Sequence, residues 1–337
     1  RYVGDFKLDG LLHAVIVRSP HAHARIVNIN RDNVLASPGV KAFFTYADIA
    51  TYGAIIPVRL APLPGVDRFL QEPLANDRVR YVGEPIGIIV ANNRYLAEDA
   101  LDAVDVTYEM LDPVVNIRQA LADESVLHPV PGTNTANRYV VSKGDVEGAF
   151  ASAFYTRREE FYSHRHSAVM LETRGLVAAF DATAKKLTVW GATKVPFFNR
   201  RALAKMLKLA ESAIEMMELD VGGAFGVRGE FYPEDFLVPF AAMKLGAPVK
   251  WIEDRREHFL SSNHSREMEC ELAVAFAKDG ELLAMRGRIF GDLGAYIRTA
   301  GGVGTYRVSI PEQSVAAGTT ISVTYGLMTV SAVGSGA

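Results

Sequence analysis

A glycine-rich turn at residues 221–226 is the strongest local signal for a binding site. It joins a predicted strand at 214–219 to a predicted helix near residue 234, and its members include Gly222, Gly223, Ala224, Phe225 and Gly226. Glycine tolerates positive φ and lets backbone N–H groups approach a ligand closely, which is how such turns hold phosphate groups. The spacing matches neither the dinucleotide-binding fingerprint nor the P-loop. The motif alone therefore leaves open whether the turn binds a ligand or is only a turn.

Two histidine pairs offer metal-ligand chemistry at first sight. His21 with His23, and His164 with His166, have the spacing that places both members on one face of a strand. A zinc site needs at least three protein ligands, and no third one lies nearby in the sequence. We therefore favour structural roles for both pairs, with a substrate-channel role as a further option for the second.

The remaining polar clusters have plainer explanations. Glu230, Glu234 and Asp235 follow the glycine-rich turn, where carboxylates are more typical of helix caps than of acid–base groups. The charged run at 253–257 predicts a solvated cluster of ion pairs. The serines and histidine at 261–264 lack the Gly-x-Ser-x-Gly elbow of a hydrolase. None of these clusters identifies a catalytic residue.

Hydrophobic patterns predict the elements that must position the turn. In the first part, a buried strand at 86–91, a helix capped by Asn92 or Asn93 and running to 103, and a strand at 104–108 form a strand–helix–strand unit. Several prolines predict a linker near 112–140. Beyond it we predict a helix at 146–153 capped by Asp145, a strand at 187–190, helices at 199–209 and 235–245, the latter ended by Gly246, a strand at 249–253, and a hairpin from 268 to 289 that turns at Asp279-Gly280.

Composition narrows the class of protein. A chain of 337 residues, 49% of them hydrophobic, can bury a large core and suggests two domains. Its net charge of −3 does not favour nucleic acid or an anionic membrane surface. No apolar run approaches the roughly 20 residues that cross a bilayer. The first residues lack an initiator Met and a signal-peptide pattern, so we expect the natural start to lie upstream.

Cysteine usage limits redox chemistry within the chain. Cys270 is the only cysteine, so an internal disulfide is excluded, and so is an iron–sulfur cluster held by this chain alone. A reducing compartment is the plainer interpretation, and we predict a cytoplasmic location.

Several segments, taken in order, resemble the large subunit of molybdenum hydroxylases, the family of xanthine dehydrogenase, aldehyde oxidase and aerobic carbon monoxide dehydrogenase. The sequences RYVGD at 1–5, RSPHAHA at 18–24 and VRYVGEP at 79–85 resemble the family's N-terminal hammerhead domain. Farther on, the resemblance is carried by LETRG at 171–175, GGAFG at 222–226, WIEDR at 251–255 and GAY at 294–296. Each motif is modest alone, but their order makes the match specific over about residues 1–300.

The resemblance implies an α+β fold. An α/β hammerhead domain would occupy residues 1–115, and the first molybdopterin-binding domain would occupy 140–337, incomplete and without the second cofactor domain. It also implies a molybdenum–molybdopterin cofactor, of the cytosine dinucleotide form usual in bacterial members. The turn from Gly222 to Gly226 would face the metal centre, with Phe225 and Gly226 against the metal's ligands and no direct metal ligand from the protein. Phe225 as a core aromatic residue is the alternative.

One position departs from the family pattern. The family usually carries a Gln that donates a hydrogen bond to a metal-bound oxygen, whereas this chain has Gly191-Ala192-Thr193-Lys194. The resemblance therefore assigns Lys194 to the cofactor site, where an ammonium group can also donate. A solvated lysine beside a helix start is the alternative.

The activity that the resemblance implies is oxidative hydroxylation of an aldehyde or an N-heterocycle, with oxygen from water. Electrons would pass to 2Fe-2S clusters on a small subunit and to FAD on a medium subunit. No residue here matches the family's Glu base, so we expect that residue in a C-terminal half or subunit beyond this chain, without which the chain should be inactive. A carbon monoxide dehydrogenase-type subunit and a noncatalytic assembly subunit remain the alternatives.

Overall fold

Three sheets carry the fold of the computed structural model, which describes residues 1–59, 65–191, 193–265, 267–298 and 318–326. The described strands are β1 (Leu12–Arg18), β2 (Ala24–Asn30), β3 (Val40–Thr45), β4 (Arg78–Val79), β5 (Pro85–Ala91), β6 (Asp105–Met110), β7 (Thr135–Gly144), β8 (Tyr155–Ser163), β9 (Gly175–Asp181), β10 (Lys186–Gly191), β11 (Ile214–Glu218), β12 (Val249–Ile252), β13 (Glu267–Phe276), β14 (Leu282–Asp292) and β15 (Gly318–Gly326). The described α-helices are α1 (Asp32–Ala36), α2 (Tyr46–Ile49), α3 (Arg94–Asp99), α4 (Ile117–Ala122), α5 (Val146–Ser152), α6 (Pro196–Leu207), α7 (Pro233–Leu245) and α8 (Arg255–Ser261).

The central sheet has seven strands in the order β11-β10-β9-β12-β1-β5-β3. Strand β1 pairs in parallel with β12, with Leu12 opposite Val249, and antiparallel with β5 on its other side. Strands from the first hundred residues and from residues 175–252 therefore form one continuous sheet. The other two sheets have the orders β7-β15-β14-β13-β8 and β4-β2-β6. This mixture of helices with parallel and antiparallel strands is the α+β fold that the sequence predicts.

Helix α7 packs against the central sheet and positions the segment before it. Phe236, Leu237, Val238 and Phe240 are all completely buried, and they join a core that includes Trp251. A helix that is apolar on every side must be covered on every side. The glycine-rich turn ends at residue 226, shortly before this buried helix begins at Pro233, so the helix fixes the end of the segment that carries the turn.

Local signals predicted several elements correctly. Every residue of β5 is buried, and the Asn93 side chain accepts a hydrogen bond of 3.0 Å from the Leu96 N–H at the start of α3. Gly246 ends α7 in the left-handed conformation, with φ of 62°. Strands β13 and β14 form the predicted antiparallel hairpin, with Cys270 opposite Ile289.

The linker prediction was wrong, and two predicted helix ends differ from the structure. The interval 112–140 is not an irregular linker, because it contains α4 and the start of β7, and Ile117 and Leu127 are buried in a core with Phe290. Helix α6 begins at Pro196 rather than 199, since proline suits the first turn of a helix, where its missing N–H costs nothing. Helix α3 ends at Asp99, and a 3-10 turn continues to Ala103.

Buried polar contacts also join the early and late parts of the chain. Glu84 accepts a hydrogen bond of 2.5 Å from the Tyr296 hydroxyl, and Arg80 donates to the same hydroxyl at 2.9 Å. Burial raises the pKa of Glu84 to about 7 despite the opposing effect of Arg80. The contact is therefore sensitive to protonation near neutral pH. None of the helices in the described ranges combines the length and apolar character needed to cross a bilayer.

Candidate functional site

The glycine-rich turn has an unusual backbone. Gly223 and Gly226 have φ values of 107° and 93°, which L side chains rarely adopt. Phe225 has φ of 43°, and its side chain is 74% exposed. A non-glycine residue in the left-handed region is uncommon and tends to occur at functional sites. Phe225 is therefore not the core aromatic residue of the alternative interpretation.

Glu172 anchors the start of the turn. Its carboxylate accepts a hydrogen bond of 2.8 Å from the Gly222 N–H, and its own N–H donates to the Gly222 carbonyl at 3.1 Å. A Cβ on Gly222 would lie only 2.4 Å from the Cβ of Glu172, so only glycine fits there. The turn is thus attached to the segment that precedes β9.

Arg228 fixes the turn by hydrogen bonds to backbone carbonyls. Its Nε donates to the Gly223 carbonyl at 2.9 Å, and its Nη2 donates at 3.0 Å to the carbonyls of Glu172 and Thr173 and to the Glu172 carboxylate. The Arg228 side chain is 3% exposed, and burial lowers the pKa of its guanidinium. A planar group with five donors suits this task, because one side chain can fix several carbonyls at once.

These contacts orient the peptide groups of the turn. Besides the Gly223 carbonyl, the carbonyl of Ala224 accepts from the Val227 N–H at 2.9 Å, and that of Gly226 accepts from the Gly229 N–H at 3.0 Å. By contrast, within the described ranges the N–H groups of Gly223, Ala224, Phe225 and Gly226 have no hydrogen-bond acceptor. The turn therefore presents a row of free donors, the arrangement that binds anions and other acceptor groups.

A cavity of about 320 Å³ lies against Phe225 and Gly226, at the end of the turn. Phe225, Gly226 and Val227 form one wall, and a Cβ added to Gly226 would meet nothing within 4 Å. The facing wall contains Ser167 and His264, and both carry buried polar atoms, Oγ and Nε2, without a hydrogen-bond partner. Unpartnered buried polar atoms are costly and indicate that a polar group completes the site.

Lys194, the sixth predicted cofactor residue, lies near the far end of the turn. Its N–H donates to the Arg228 carbonyl at 3.1 Å, and its side chain is exposed. Its Cδ lies 3.4 Å from the position that a Cβ on Gly229 would occupy. The structure thus brings Lys194 next to the segment that follows Gly226, while its contact with a ligand stays a prediction. Ala192, in the same motif, lies outside the described residues.

The charged run at 253–257 is solvated only in part, because Asp254 and Arg256 are exposed while Glu253 and Glu257 belong to a largely buried ion-pair network. Glu253 is 1% exposed and pairs with Arg174 at 2.5 Å, while Arg174 also pairs with Glu234 at 3.3 Å. Burial alone would raise the pKa of Glu253, but the adjacent Arg174 and hydrogen bonds from His258 and Arg174 hold it well below its usual range. The Arg174 guanidinium also lies 3.7 Å from the ring centre of Tyr232.

The same network extends to the N-terminal region through Arg18. Its Nη2 lies 2.5 Å from Glu234 and 2.6 Å from Glu257. Burial would raise the pKa of Glu234, but Arg174 and Arg18 together lower it. Glu234 is therefore a structural ion-pair partner and not the helix cap that was predicted. Asp235 does serve as the cap, because its carboxylate accepts from the Tyr232 N–H at 2.7 Å.

The structure gives the two histidine pairs different surroundings, and His166 lines the cavity of about 320 Å³, so a substrate-channel role for the second pair stays a prediction. His23 is 3% exposed, and its Nδ1 lies 2.8 Å from the Asp112 carbonyl, while His21 packs edge-on against Tyr108. His164 packs edge-on against Tyr162, and the His166 N–H donates to the Ser265 hydroxyl at 2.7 Å. Within the part of the chain that the structure describes, no group of three or more His, Cys, Asp or Glu side chains is placed to hold a metal ion.

The sequence did not identify Arg228 and Glu172 as site residues. They lie 56 positions apart, and nothing in the local pattern of either one predicts their contact. The available signal was indirect, since Arg228 follows Gly226 by two residues and Glu172 belongs to the LETRG motif. A charged residue so close to a glycine-rich turn is a candidate for fixing that turn's carbonyls.

Comparison with known proteins defines the class. Residues 127–312 match the molybdopterin cofactor-binding domain, and residues 1–112 match the a/b hammerhead domain of aldehyde oxidase and xanthine dehydrogenase. The chain therefore belongs to the family of molybdopterin-binding large subunits of the aldehyde oxidase and xanthine dehydrogenase type.

Individual relatives agree with this assignment. The chain is 38% identical over 302 residues to the gamma subunit of the 6-hydroxypseudooxynicotine dehydrogenase complex of Paenarthrobacter nicotinovorans, covering 89% of this chain and 38% of the relative. It is 33% identical to the carbon monoxide dehydrogenase large chain of Afipia carboxidovorans, covering 88% of this chain and 38% of that one. The crystal structure of quinoline 2-oxidoreductase from Pseudomonas putida 86 superposes with a TM-score of 0.85 at 34% identity, covering 97% of this chain and 42% of that chain. The chain thus spans well under half the length of these relatives.

Proposed function

We propose that the turn from Gly222 to Gly226 binds a molybdenum–molybdopterin cofactor in the large subunit of a molybdenum hydroxylase. One observation carries this proposal: the carbonyls of Gly223, Ala224 and Gly226 are used within the protein, while the N–H groups of 223–226 are free in the described chain. The phosphate groups of such a cofactor are hydrogen-bond acceptors, so this donor set fits the group. When bound, the cofactor supplies a two-electron oxidation of a substrate C–H bond with oxygen taken from water.

The residues of this chain have defined tasks in that scheme. Arg228 and Glu172 keep the carbonyls turned inward, so that the N–H groups of the turn donate to the cofactor without rearrangement. Phe225, exposed at 74%, lines the cavity, where its ring would exclude water from the bound group. Lys194, close to Gly229, would supply an ammonium donor to that group.

The proposed substrate is an N-heterocycle rather than an aldehyde. Two proteins similar to this chain are named for compounds related to nicotine and for quinoline, both of which contain nitrogen rings. We further propose the cytosine dinucleotide form of the cofactor, an iron–sulfur small subunit, an FAD-binding medium subunit, a C-terminal cofactor-binding half or subunit, and a cytoplasmic location. Cys270, the only cysteine, supports the placement of the iron–sulfur clusters on another chain.

Metal and nucleotide analysis of the complex purified under gentle conditions tests the proposal. We expect molybdenum by elemental mass spectrometry and cytidine monophosphate released by acid. A complex that contains neither would overturn the proposal and favour a noncatalytic assembly subunit. Copper together with oxidation of carbon monoxide, and no turnover of N-heterocycles, would overturn the substrate assignment in favour of the carbon monoxide dehydrogenase type.

A further inference from the structure

A second cavity, of about 70 Å³, lies on the other side of the segment 262–264. Asn263 and His264 line both this cavity and the one beside the glycine-rich turn. Its other walls include Ser262, Tyr296 and Arg298. The volume is roughly that of five water molecules, which also suits one carboxylate or phosphate group. It is too small for a whole organic substrate, since drug-sized ligands occupy at least about 300 Å³.

Unpartnered donors are concentrated around this cavity. Arg298 Nε, Ser262 Oγ and Asn263 Nδ2 are all buried without a hydrogen-bond partner. Each of these groups can donate, and the first and third can only donate. The fourth unpartnered atom in the wall, His264 Nε2, donates or accepts according to its tautomer. A ligand that accepts several hydrogen bonds at once is what such walls satisfy.

Arg298 supplies the charge argument. It is 7% exposed, and its two terminal nitrogens donate to Gln71 Oε1 at 2.9 Å and to the Phe231 carbonyl at 2.6 Å. Both acceptors are neutral, and within the described ranges no carboxylate forms an ion pair with this guanidinium. The other arginine in the wall, Arg165, is partly buried and pairs with Asp292. Asp235 is engaged by the Tyr232 N–H instead.

A buried guanidinium without a counter-ion is expensive, whereas Arg18, Arg174 and Arg228 in the same protein each have a carboxylate partner. The nearby Asp235 is close enough for Arg298 to oppose the rise of its pKa, but it forms no ion pair with the guanidinium, and buried water would supply no negative charge. We infer that this cavity is a binding site for a single oxyanion, a carboxylate or phosphate group, held by Arg298, Ser262 and Asn263. The inference goes beyond the proposed function and does not depend on the molybdenum cofactor.

Anion titrations of the purified complex test the inference. Phosphate and acetate are each added at constant ionic strength, with chloride as the balancing anion, and binding is followed by calorimetry and by the midpoint of thermal unfolding. We expect saturable binding of at least one of the two. Binding of phosphate but not acetate indicates that the natural ligand is inorganic phosphate or a phosphate ester. Binding of acetate but not phosphate indicates an organic carboxylate. No saturable effect of either anion would overturn the inference and leave only water in the cavity.

Variants connect the binding to these residues. Arg298→Met should weaken anion binding at least tenfold, and Ser262→Ala, which removes one hydroxyl and keeps the fold, should weaken it severalfold. Arg286→Met is the matched control, because Arg286 is 44% exposed at its side chain and pairs with Glu147 away from the cavity. Unchanged binding in Ser262→Ala together with unchanged binding in Arg298→Met would contradict the assignment. If Arg298→Met does not fold, two other measurements test the site: anion binding by Ser262→Ala, and the anomalous signal of selenate soaked into crystals. A selenate peak elsewhere than beside Arg298 would overturn the site.

Discussion

Replacing Arg228 with Met would remove the side chain that fixes the glycine-rich turn. Four hydrogen bonds are lost, and they leave the Gly223 and Thr173 carbonyls and part of the Glu172 carboxylate without a donor. Breaking a buried ion pair from one side costs about 3 to 5 kcal/mol. Because the Glu172 side chain is 22% exposed, water will replace part of the loss. We expect a decrease of about 3 kcal/mol in the free energy of unfolding.

Denaturant unfolding of the variant measures this loss, and Arg288→Met provides the control. Arg288 also pairs with a glutamate, Glu271, but its side chain is 58% exposed, so its loss should cost less than about 1 kcal/mol. Arg228→Met should also have a lower molybdenum content, because the released Gly223 carbonyl no longer holds the turn in its donor conformation. If the two variants lose equal stability and retain equal molybdenum, the role assigned to Arg228 is refuted.

Three further predictions concern Gly223 in the turn, the buried carboxyl of Glu84 and the ion pairs of Arg174. Gly223→Val should abolish cofactor retention, because a branched residue is strained at φ of 107°, while the circular dichroism spectrum of the whole chain stays close to that of the wild type. Normal molybdenum content would contradict this. Because burial raises the pKa of Glu84 to about 7, its contribution to stability is present below pH 4.5 and is lost as the pH rises through 7. The free energy of unfolding of the wild type should therefore fall by up to about 3 kcal/mol relative to that of Glu84→Gln across this range. Parallel pH profiles of the two proteins would refute this. Arg174→Met should destabilise by about 3 to 5 kcal/mol because Glu253 would keep only His258, and Glu234 only Arg18, as a charged partner in a buried setting. The exposed control Arg94→Met should cost under about 0.5 kcal/mol by thermal or chemical unfolding.

Patterns of short range were sufficient for much of the fold. The strict alternation around Cys270 predicted the hairpin, the continuous apolar run predicted β5, and Asn93 and Gly246 marked helix ends. In each case the signal is carried by residue types that are adjacent in the sequence, even where, as in β5, the strand pairs with distant strands. The glycine-rich turn was found for the same reason, since its backbone needs are visible in its residue types.

Interactions across long sequence distances explain the failures. The charges at 253–257 looked solvated because their partners, Arg18 and Arg174, are 239 and 79 residues away. The interval 112–140 looked irregular because its prolines hid a small apolar set, including Ile117 and Leu127, that packs on Phe290. Arg228 was missed because its acceptors become neighbours only after the segment before β9 meets the turn. Burial of charge cannot be inferred from composition when both partners are remote.

The parallel pairing of β1 with β12 bears on how this protein evolves. Two recognisable family modules share one sheet, and Arg18 of the first lies between Glu234 and Glu257 of the second. Separating the two modules would expose two strand edges and would leave two acidic side chains without Arg18 in an apolar environment. We therefore expect a rearrangement that exchanged one module alone to destabilise the protein, so that the two modules are inherited together.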